Sequence, residues 1–359
     1  MRAAVLRATD TPLVVEDVEL APPRAGEVLV RLAASGVCHS DLHTVQGVHP
    51  WPLPAVLGHE GAGIVEEVGE DVDGIAPGDH VALSWIPFCG VCRFCARGRP
   101  NLCVGAPWSE RGTMADGTTR LSVGGRPVHH YTSTTFAERT VVPAASVFPV
   151  PRELPLVELS LLGCAAMTGL GAVLNTAGVR PGESVAVVGC GGVGLFAVQA
   201  ARIAGAETIL AVDRVSSRLS LGLELGATHA AEPADAAGAA AELTGDGFDH
   251  VIEAVGRPES IGLALELTGR GGQTVLVGMA PQDARTTVEP LTLTVEERAV
   301  RGSWYGSVVP SRDVPRALEL LRSGDLRFDA LVTRCRLDDV NDALEAMERG
   351  DGARSVIVF

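Results

Sequence analysis

The stretch that most constrains the fold is SVAVVGCGGVGLFAVQAARIAG, where a β-branched run meets spaced glycines and then a helical pattern. Gly189, Gly191 and Gly194 have the G-x-G-x-x-G spacing. Between a strand and a helix, such glycines permit a tight turn that brings backbone amides close to a pyrophosphate. Asp213 ends the next β run, TILAVD, where a carboxylate can accept hydrogen bonds from an adenosine ribose. We therefore predict a dinucleotide-binding βαβ unit here.

The residue pattern differs between the part of the chain that contains this turn and the part before it. From about residue 155 to 300, runs such as TILAVD, DHVIEAVG and QTVLVGM alternate with Ala/Leu-rich helical patterns, which is typical of a doubly wound parallel sheet. Residues 1–150 contain short alternating runs such as EVLVRLAASG, which favour a mostly β unit. The predicted fold class is α/β, with a mostly β domain and a second domain in which βαβ units build a parallel sheet.

Composition narrows the possible partners and the compartment. A chain of 359 residues with a formal charge of −15 is expected to form two domains and to repel nucleic acid. No apolar run reaches the roughly 18 residues of a membrane span, and the N-terminus does not resemble a signal peptide. We therefore expect a cytoplasmic, reducing location without a membrane partner. All 29 basic residues are arginine, which excludes lysine-based covalent catalysis.

Half of the eight cysteines lie in CGVCRFCARGRPNLC, as Cys89, Cys92, Cys95 and Cys103. This spacing fits four thiolates around one tetrahedral zinc ion. An iron–sulfur cluster and a nucleic-acid-binding zinc ribbon are the alternatives. Four sulfur ligands leave no position open for substrate, so we interpret this loop as a structural metal site that stabilises the fold.

Three further candidate ligands are scattered along the chain. Cys38 lies in SGVCHSDLH, His59 lies with Glu60 in LGHEGAG, and Cys164 lies in LLGCAAMTG. Two thiolates and one imidazole would leave a fourth position open, as at a catalytic zinc. Each of these residues could equally be a buried core residue, and spacing alone does not join them.

The segments GHEGAGIVEEVG, the four-cysteine loop, GCAAMTG and the glycine turn occur in this order. In this combination they resemble the zinc-dependent alcohol dehydrogenases of the medium-chain dehydrogenase/reductase family, over the whole length of the chain. The resemblance implies a GroES-like catalytic domain at 1–164 and 305–359, with a structural zinc lobe at 89–103. It also implies a Rossmann domain at 165–304.

The resemblance also implies a catalytic site. Cys38, His59 and Cys164 would ligate the catalytic zinc, with Glu60 beside it and Asp41 orienting the histidine. Ser40 and His43 would carry the alcohol proton to solvent, and Trp85 would line the substrate pocket. The cofactor-binding positions implied in the same way are His39, Thr168, Gly189, Gly191, Gly192, Val193, Gly194, Asp213, Arg218, Val277 and Arg354.

The implied reaction is hydride transfer between NAD and a primary alcohol/aldehyde pair, with two zinc ions per subunit. NAD is expected rather than NADP because Asp213 would repel a 2′-phosphate, although Arg214 and Arg218 could attract one. We also expect a homo-oligomer, with a dimer favoured over a tetramer.

The substrate remains open between alternatives. The loop GTMADGTTRLSVGGRPVHHYTSTTFAERTVV resembles the glutathione-dependent formaldehyde dehydrogenases, and relatives acting on mycothiol adducts are also similar. Pro107, however, stands where the glutathione enzymes have an arginine, and the nearest arginine is Arg111. We therefore expect an aromatic or allylic alcohol, with a thiol adduct of formaldehyde as the alternative. A biosynthetic C=C or C=N reductase and a zinc-stabilised binding protein are less favoured.

Overall fold

The computed structural model describes residues 1–359. It divides into one unit formed by Met1–Cys164 with Leu331–Phe359, and a second unit formed by Ala165–Ala330. The mixed α/β fold expected from the sequence is confirmed, with mainly antiparallel sheets in the first unit and a parallel sheet in the second.

The strands, numbered along the chain, are β1 Arg2–Leu6, β2 Val14–Asp17, β3 Glu19–Leu20, β4 Glu27–Gly36, β5 Ala55–Val56, β6 Glu60–Val68, β7 His80–Leu83, β8 Leu121–Val123, β9 Arg126–His130, β10 Arg139–Pro143, β11 Val147–Pro149, β12 Ser184–Val188, β13 Thr208–Val212, β14 His229–Ala231, β15 Phe248–Glu253, β16 Thr268–Leu276, β17 Ala299–Gly302, β18 Val332–Cys335 and β19 Arg354–Val358. The α-helices are α1 His39–Val45, α2 Leu156–Leu159, α3 Ala165–Gly171, α4 Gly192–Ala204, α5 Ser216–Leu225, α6 Ala236–Thr244, α7 Pro258–Leu267, α8 Pro290–Val295, α9 Pro310–Ser323 and α10 Val340–Arg349.

The first unit contains two sheets. One has the strand order β2-β1-β5-β9-β8-β3, and the other has the order β11-β7-β6-β4-β19-β18, with β10 also paired to β4. β4 and β6 are antiparallel, and their register places Gly36 opposite Glu60. The end of β4 and the start of β6 therefore lie side by side. This pairing brings the chain at Cys38 close to the chain at His59.

The second unit is built on the parallel sheet β14-β13-β12-β15-β16-β17. Its central strands are continuous apolar runs with buried side chains, as expected for a sheet covered on both faces. β12 ends at Val188, immediately before the glycine turn, and α4 begins at Gly192. The strand–turn–helix order expected at this turn is therefore present.

The chain returns to the first unit at Leu331, rather than at residue 305 as the sequence analysis placed it. Residues between these positions pack within the second unit. The backbones of Gly306 and Gly171 lie so close together that a side chain on either glycine would overlap the other residue. Asn175 also donates a hydrogen bond of 3.1 Å to Asp313 in α9. These contacts hold α9 against the Rossmann sheet's own helical layer.

No single helix is both long and apolar enough to cross a bilayer, although the bent pair Leu156–Gly163 and Ala165–Ala177 passes by length and composition. The residues of this pair are mostly buried within the protein, as in a core helix.

Candidate active site and metal centres

The four-cysteine loop at residues 89–103, which we call the lobe, brings its thiols together locally. The four Sγ atoms lie within 4.8 Å of one another. Cys92 Sγ is 3.6 Å from Cys95 Sγ and 4.0 Å from Cys103 Sγ. Since zinc–sulfur bonds of about 2.3 Å in a tetrahedron separate the sulfurs by about 3.8 Å, this geometry fits a zinc ion.

Backbone amides around the lobe favour the thiolate forms that a metal requires. The N–H groups of Cys92 and Gly105 donate to the sulfurs of Cys89 and Cys103, at 3.3 and 3.2 Å. Backbone hydrogen bonds from Cys95 and Val104 likewise lower the pKa of Cys92 to about 6. Crowding has the opposite effect at Cys95, where burial and neighbouring thiols raise the pKa to about 12. Four thiols this close cannot all ionise without a cation between them.

The second group of ligands, which we call the buried site, consists of Cys38, His59, Glu60 and Cys164. One ligand atom from each lies within 4.8 Å of the others, and all four residues are buried. The structure thus brings together the residues that sequence spacing could not join. Cys164 reaches this site because Gly163 lies against the carbonyl of Leu83 in β7, where any side chain would overlap.

The two thiols of the buried site strongly influence each other. The hydrogen bond with Cys164 lowers the pKa of Cys38 well below its ordinary value, and the same contact, with burial, raises that of Cys164. A divalent cation would replace the shared proton and let both thiols ionise. Two sulfurs and an imidazole fit zinc with one position left for a further ligand.

Asp41 holds His59 in place from beneath. Its Oδ1 atom lies 3.1 Å from His59 Nδ1 and also accepts the N–H of Gly58, at 3.1 Å. Its Oδ2 atom accepts the N–H of Cys38, at 2.9 Å. Burial acts to lower the pKa of His59, but Asp41 and Cys38 raise it well above its ordinary value. Asp41 therefore ties two ligand-bearing segments together and leaves Nε2 of the imidazole to face a metal.

Gly58 makes the approach to His59 possible. Its φ of +86° belongs to the left-handed region, and a side chain would overlap Phe136. Only glycine fits this turn without strain, so the residue before the histidine is set by local backbone geometry.

Glu60 and Arg354 form a buried ion pair beside the sulfurs. Arg354 Nη2 donates to Glu60 Oε1, whereas Glu60 Oε2 has no hydrogen-bond partner. Burial raises the pKa of Glu60 to about 7, and the guanidinium opposes this shift. The family resemblance implies that Arg354 reaches the pyrophosphate. In the structure this side chain pairs with Glu60 and lies close enough to Cys38 and Cys164 for their charges to raise its pKa.

Aromatic rings surround the imidazole of His59. The ring centroids of Trp85 and Tyr131 lie 6.3 and 5.8 Å from that of His59, each nearly perpendicular to it. Trp51 packs edge-on against Tyr131 at 4.9 Å. Tyr131 and Trp51 were not identified from the sequence, because nothing in HHYTST or HPWPLP marks them as neighbours of a ligand histidine.

Tyr131 also braces helix α1. Its hydroxyl donates to the carbonyl of Ser40, at 3.2 Å, and accepts from Thr44 Oγ1, at 3.1 Å. Ser40 Oγ lies 3.8 Å from Cys38 Sγ, and His43 follows three residues later on the same helix. The ring of His43 stacks on that of His49, with centroids 5.2 Å apart, and contacts His39 edge-on at 5.8 Å.

The glycine turn in the second unit gives each glycine a separate role. A side chain at Gly189, whose φ is +96°, would overlap Val255, and one at Gly194 would overlap the carbonyl of Gly189. Gly191, by contrast, has nothing within 4 Å of where a side chain would begin. This open space at the N-terminus of α4 fits a pyrophosphate that approaches the backbone closely.

Asp213 lies at the end of β13 and is already bonded to the turn. Its two carboxylate oxygens accept the N–H groups of Cys190, at 2.7 Å, and Val215, at 2.9 Å. A carboxylate offers about four acceptor positions, so both oxygens keep capacity for ribose hydroxyls. Arg218 is half-buried in α5, one helical turn beyond Val215.

Of the other expected cofactor positions, His39 in α1 and Arg354 in β19 belong to the first unit, and the rest lie in the second unit. Thr168 is buried in α3, Gly192 and Val193 begin α4, and the N–H of Val277 donates to the carbonyl of Glu253, at 2.8 Å. The Glu253 side chain accepts the N–H groups of Val255 and Gly256, which fixes the loop after β15. The sequence analysis did not identify Glu253.

Comparison with known proteins agrees with this geometry. Residues 24–152 match the family described as alcohol dehydrogenase GroES-like domain, and residues 192–323 match the zinc-binding dehydrogenase family. The S-(hydroxymethyl)glutathione dehydrogenase of Escherichia coli is 41% identical over 100% of this chain and 99% of its own length. The chain belongs to the zinc-dependent alcohol dehydrogenases.

Solved structures of this family superpose on the whole chain. Benzyl alcohol dehydrogenase from Acinetobacter calcoaceticus matches with a TM-score of 0.95 and 32% identity, covering 100% of this chain and 99% of its own. A zinc-binding dehydrogenase from Sinorhizobium meliloti, solved with bound NADP, matches with a TM-score of 0.82 and 29% identity over 100% and 99% of the two chains. As a zinc-dependent alcohol dehydrogenase, this protein is an oxidoreductase of small molecules that uses zinc and a nicotinamide dinucleotide.

Proposed function

We propose that this alcohol dehydrogenase interconverts primary aromatic or allylic alcohols and their aldehydes, with NAD as the hydride carrier. The observation that carries the substrate proposal is the group of aromatic rings beside His59: the half-buried Trp85, and Tyr131 with Trp51 in the adjoining core. Flat apolar rings favour a flat apolar substrate, since aromatic pairs gain about 0.5–1.5 kcal/mol beyond their buried area.

In this proposal, the residues of the buried site would hold the zinc ion, and Ser40 and His43 in α1 would remove the alcohol proton. Zinc, when bound by Cys38, His59 and Cys164, supplies Lewis acidity, and the nicotinamide accepts the hydride. Ser40 lies next to Cys38 and would accept the hydroxyl proton. His43, on the same helix face three residues on, would pass it towards solvent.

The substrate is tested by measuring NADH formation with benzyl alcohol, an allylic alcohol, a straight-chain alcohol, and formaldehyde mixed with glutathione. We expect kcat/KM to be highest for benzyl alcohol. Replacing Trp85 by Ala should lower kcat/KM for benzyl alcohol by about tenfold while affecting the straight-chain alcohol less. Equal kcat/KM values for benzyl alcohol and the straight-chain alcohol in the wild-type enzyme would refute the aromatic preference.

The second candidate is a thiol adduct of formaldehyde, because a relative named for that activity is 41% identical over the whole chain. The carboxylates of glutathione would need cationic partners. Arg354 is buried and paired with Glu60, and Arg111 is exposed on the loop after the lobe. Turnover of formaldehyde that requires glutathione and exceeds turnover of benzyl alcohol would favour this candidate.

We infer a preference for NAD from the carboxylate of Asp213. It would accept ribose hydroxyls and repel a 2′-phosphate, and charge-assisted hydrogen bonds contribute about 1.5–3 kcal/mol each. We expect kcat/KM to be about a hundredfold higher with NAD than with NADP. Asp213→Ser should reduce this ratio, whereas Asp213→Asn, which keeps one oxygen for the backbone N–H groups of the turn, controls for damage to the turn. A wild-type preference for NADP would overturn the inference.

We also propose a dimer formed through β17. All four residues of this edge strand are exposed, and Val300 and Trp304 expose 39% and 41% of their surface. An exposed strand edge flanked by apolar side chains is suited to pairing with a second copy. Light scattering should give twice the mass of one chain, and Val300→Arg should shift the protein towards a monomer.

A cytoplasmic location is consistent with the cysteines. All eight are free thiols, as expected for a reducing compartment. We propose this location on that basis and on the metal-ligand role of the cysteines.

A further inference from the structure

Gly36 ends strand β4 directly opposite Glu60 on strand β6. A side chain at Gly36 would overlap the Oε2 atom of Glu60 and come within 2.7 Å of Leu161 Cδ2. Gly36 is not among the glycines with a positive φ. The backbone conformation at this position would therefore accept any residue, but the neighbouring Glu60 leaves no room for a side chain.

The carboxylate of Glu60 fills the space over Gly36, and its surroundings fix its position. Glu60 is fully buried, and its Oε1 atom pairs with Arg354, which is also buried. Its Oε2 atom has no hydrogen-bond partner, and one carboxylate oxygen of Glu60 belongs to the group of ligand atoms formed with Cys38 and His59. The carboxylate thus spans the distance between the guanidinium and the metal ligands by lying across the bare backbone of Gly36.

We propose that Gly36 is a positioning residue for the catalytic metal: its missing side chain allows Glu60 to pair with Arg354 and to approach the metal ligands at the same time. A methyl group at position 36 would displace Oε2. The carboxylate would then lose either its place beside the ligands or its pairing with Arg354. Because groups next to metal ligands typically change metal affinity by 10–100-fold, zinc should leave the buried site faster.

The experiment measures zinc release from purified enzyme into a chelator, together with the zinc remaining per chain. Gly36→Ala should release zinc from the buried site at least about tenfold faster than the wild type, and the lobe should keep its zinc. Gly262→Ala in α7 is the control, because Gly262 has nothing within 4 Å of its side-chain position and, like Gly36, no positive φ. This control should release zinc at the wild-type rate.

A double-mutant cycle separates positioning from general damage to the strand. Glu60→Asp shortens the side chain by one methylene and withdraws the carboxylate from position 36. Adding Gly36→Ala to Glu60→Asp should therefore change the release rate less than twofold. An unchanged release rate in Gly36→Ala alone would overturn the proposal. An equally large effect in the Glu60→Asp background would also overturn it, since the methyl group would then act through Leu161 or the strand.

The inference rests on the proposed ligand set Cys38, His59 and Cys164. The wild-type zinc content distinguishes the two failures. If the wild-type enzyme contains zinc in the lobe alone, the ligand set is wrong. If it contains two zinc ions per chain and Gly36→Ala retains both at the wild-type rate, the ligand set stands and the role of Gly36 is wrong.

Discussion

The lobe and the buried site use similar ligands but are assembled in opposite ways. The lobe takes four cysteines from fifteen consecutive residues, and its thiols are partly exposed. The buried site takes its ligands from the turn between β4 and α1, from the start of β6 with the residue before it, and from the turn before α3. A local loop can close around a metal without the rest of the fold. The buried site exists only once the sheet has formed.

The difference extends to what surrounds the sulfurs. In the lobe, backbone N–H groups point at the sulfurs, as between Gly105 and Cys103. In the buried site, side chains hold the ligand residues in place: Asp41 binds His59, and Arg354 pairs with Glu60. We therefore expect the lobe to act on stability alone, and the buried site to act on chemistry as well.

The largest expected effect is the loss of activity on removing Cys164, which tests whether the buried site and not the lobe carries the chemistry. Cys164→Ala removes one ligand of the buried site, and activity should fall at least about a thousandfold, because Lewis acidity contributes several kcal/mol to such a reaction. Elemental analysis should show zinc falling from two ions per chain to one. Cys335→Ala is the control, since Cys335 belongs to neither metal group. Retention of both zinc ions in Cys164→Ala would break the comparison.

The converse change is made in the lobe. Cys92→Ala should lower the free energy of unfolding by about 3 kcal/mol, which is similar to the loss of a cross-link over a loop of this length. The melting temperature should then fall by about 6–12 °C. The kcat of the folded enzyme should stay within about twofold of the wild type. A loss of kcat as large as that of Cys164→Ala would show that the lobe takes part in catalysis.

A smaller effect is expected at Asp41, which separates orientation from ligation. Asp41→Asn keeps the shape of the side chain but loses the charge that holds His59 Nδ1 and the N–H of Cys38. Zinc affinity at the buried site should fall 10–100-fold, measured by competition with a chelator. Asp79→Asn is the control, since that carboxylate accepts a backbone N–H at Ala76 and contacts no ligand. Equal affinities in both variants would mean that His59 is held by packing.

The two sites also differ in how far the sequence predicts them. The lobe and the glycine turn at Gly189 are recognisable because all their chemistry lies within a few turns of chain. The ligands Cys38, His59 and Cys164 were grouped by family resemblance alone, since their proximity depends on the β4–β6 register. The pairing of Arg354 with Glu60 depends on β19 joining β4 from the far end of the chain. No local pattern carries that information, and the same applies to Tyr131.

The boundary at 331 illustrates the same limit. The helical pattern PSRDVPRALELL is equally compatible with either unit, because an amphipathic helix shows that one face is buried but not against what. The buried Asp313 and its hydrogen bond to Asn175 decide its position, and neither residue is distinctive in the sequence.

The last prediction concerns the stability of the protein in acid. It involves His130, which lies between the loop after the lobe and Tyr131 beside the buried site. His130 ends β9 next to Tyr131, and its N–H donates to the carbonyl of Gly112 in the loop after the lobe. Its Nε2 atom accepts the N–H of Arg120 at 3.0 Å, and Nδ1 lies 3.1 Å from Thr134 Oγ1. Burial lowers the pKa of His130 to about 3. The imidazole is therefore neutral in the folded protein throughout the physiological range.

This lowered pKa gives a definite sign to the pH dependence. The unfolded chain takes up a proton at His130 below the ordinary value of about 6.5, whereas the folded chain does not until about pH 3. Stability is therefore lost as the pH falls from 6.5 towards 3, by up to about 1.4 kcal/mol per pH unit. His130→Gln keeps an acceptor for the N–H of Arg120 and removes the titration. Between pH 7.5 and 5, urea unfolding of the variant should lose about 2 kcal/mol less stability than the wild type. Parallel losses in both proteins would show that acid acts first on the thiolates of the metal sites rather than on the segment between them.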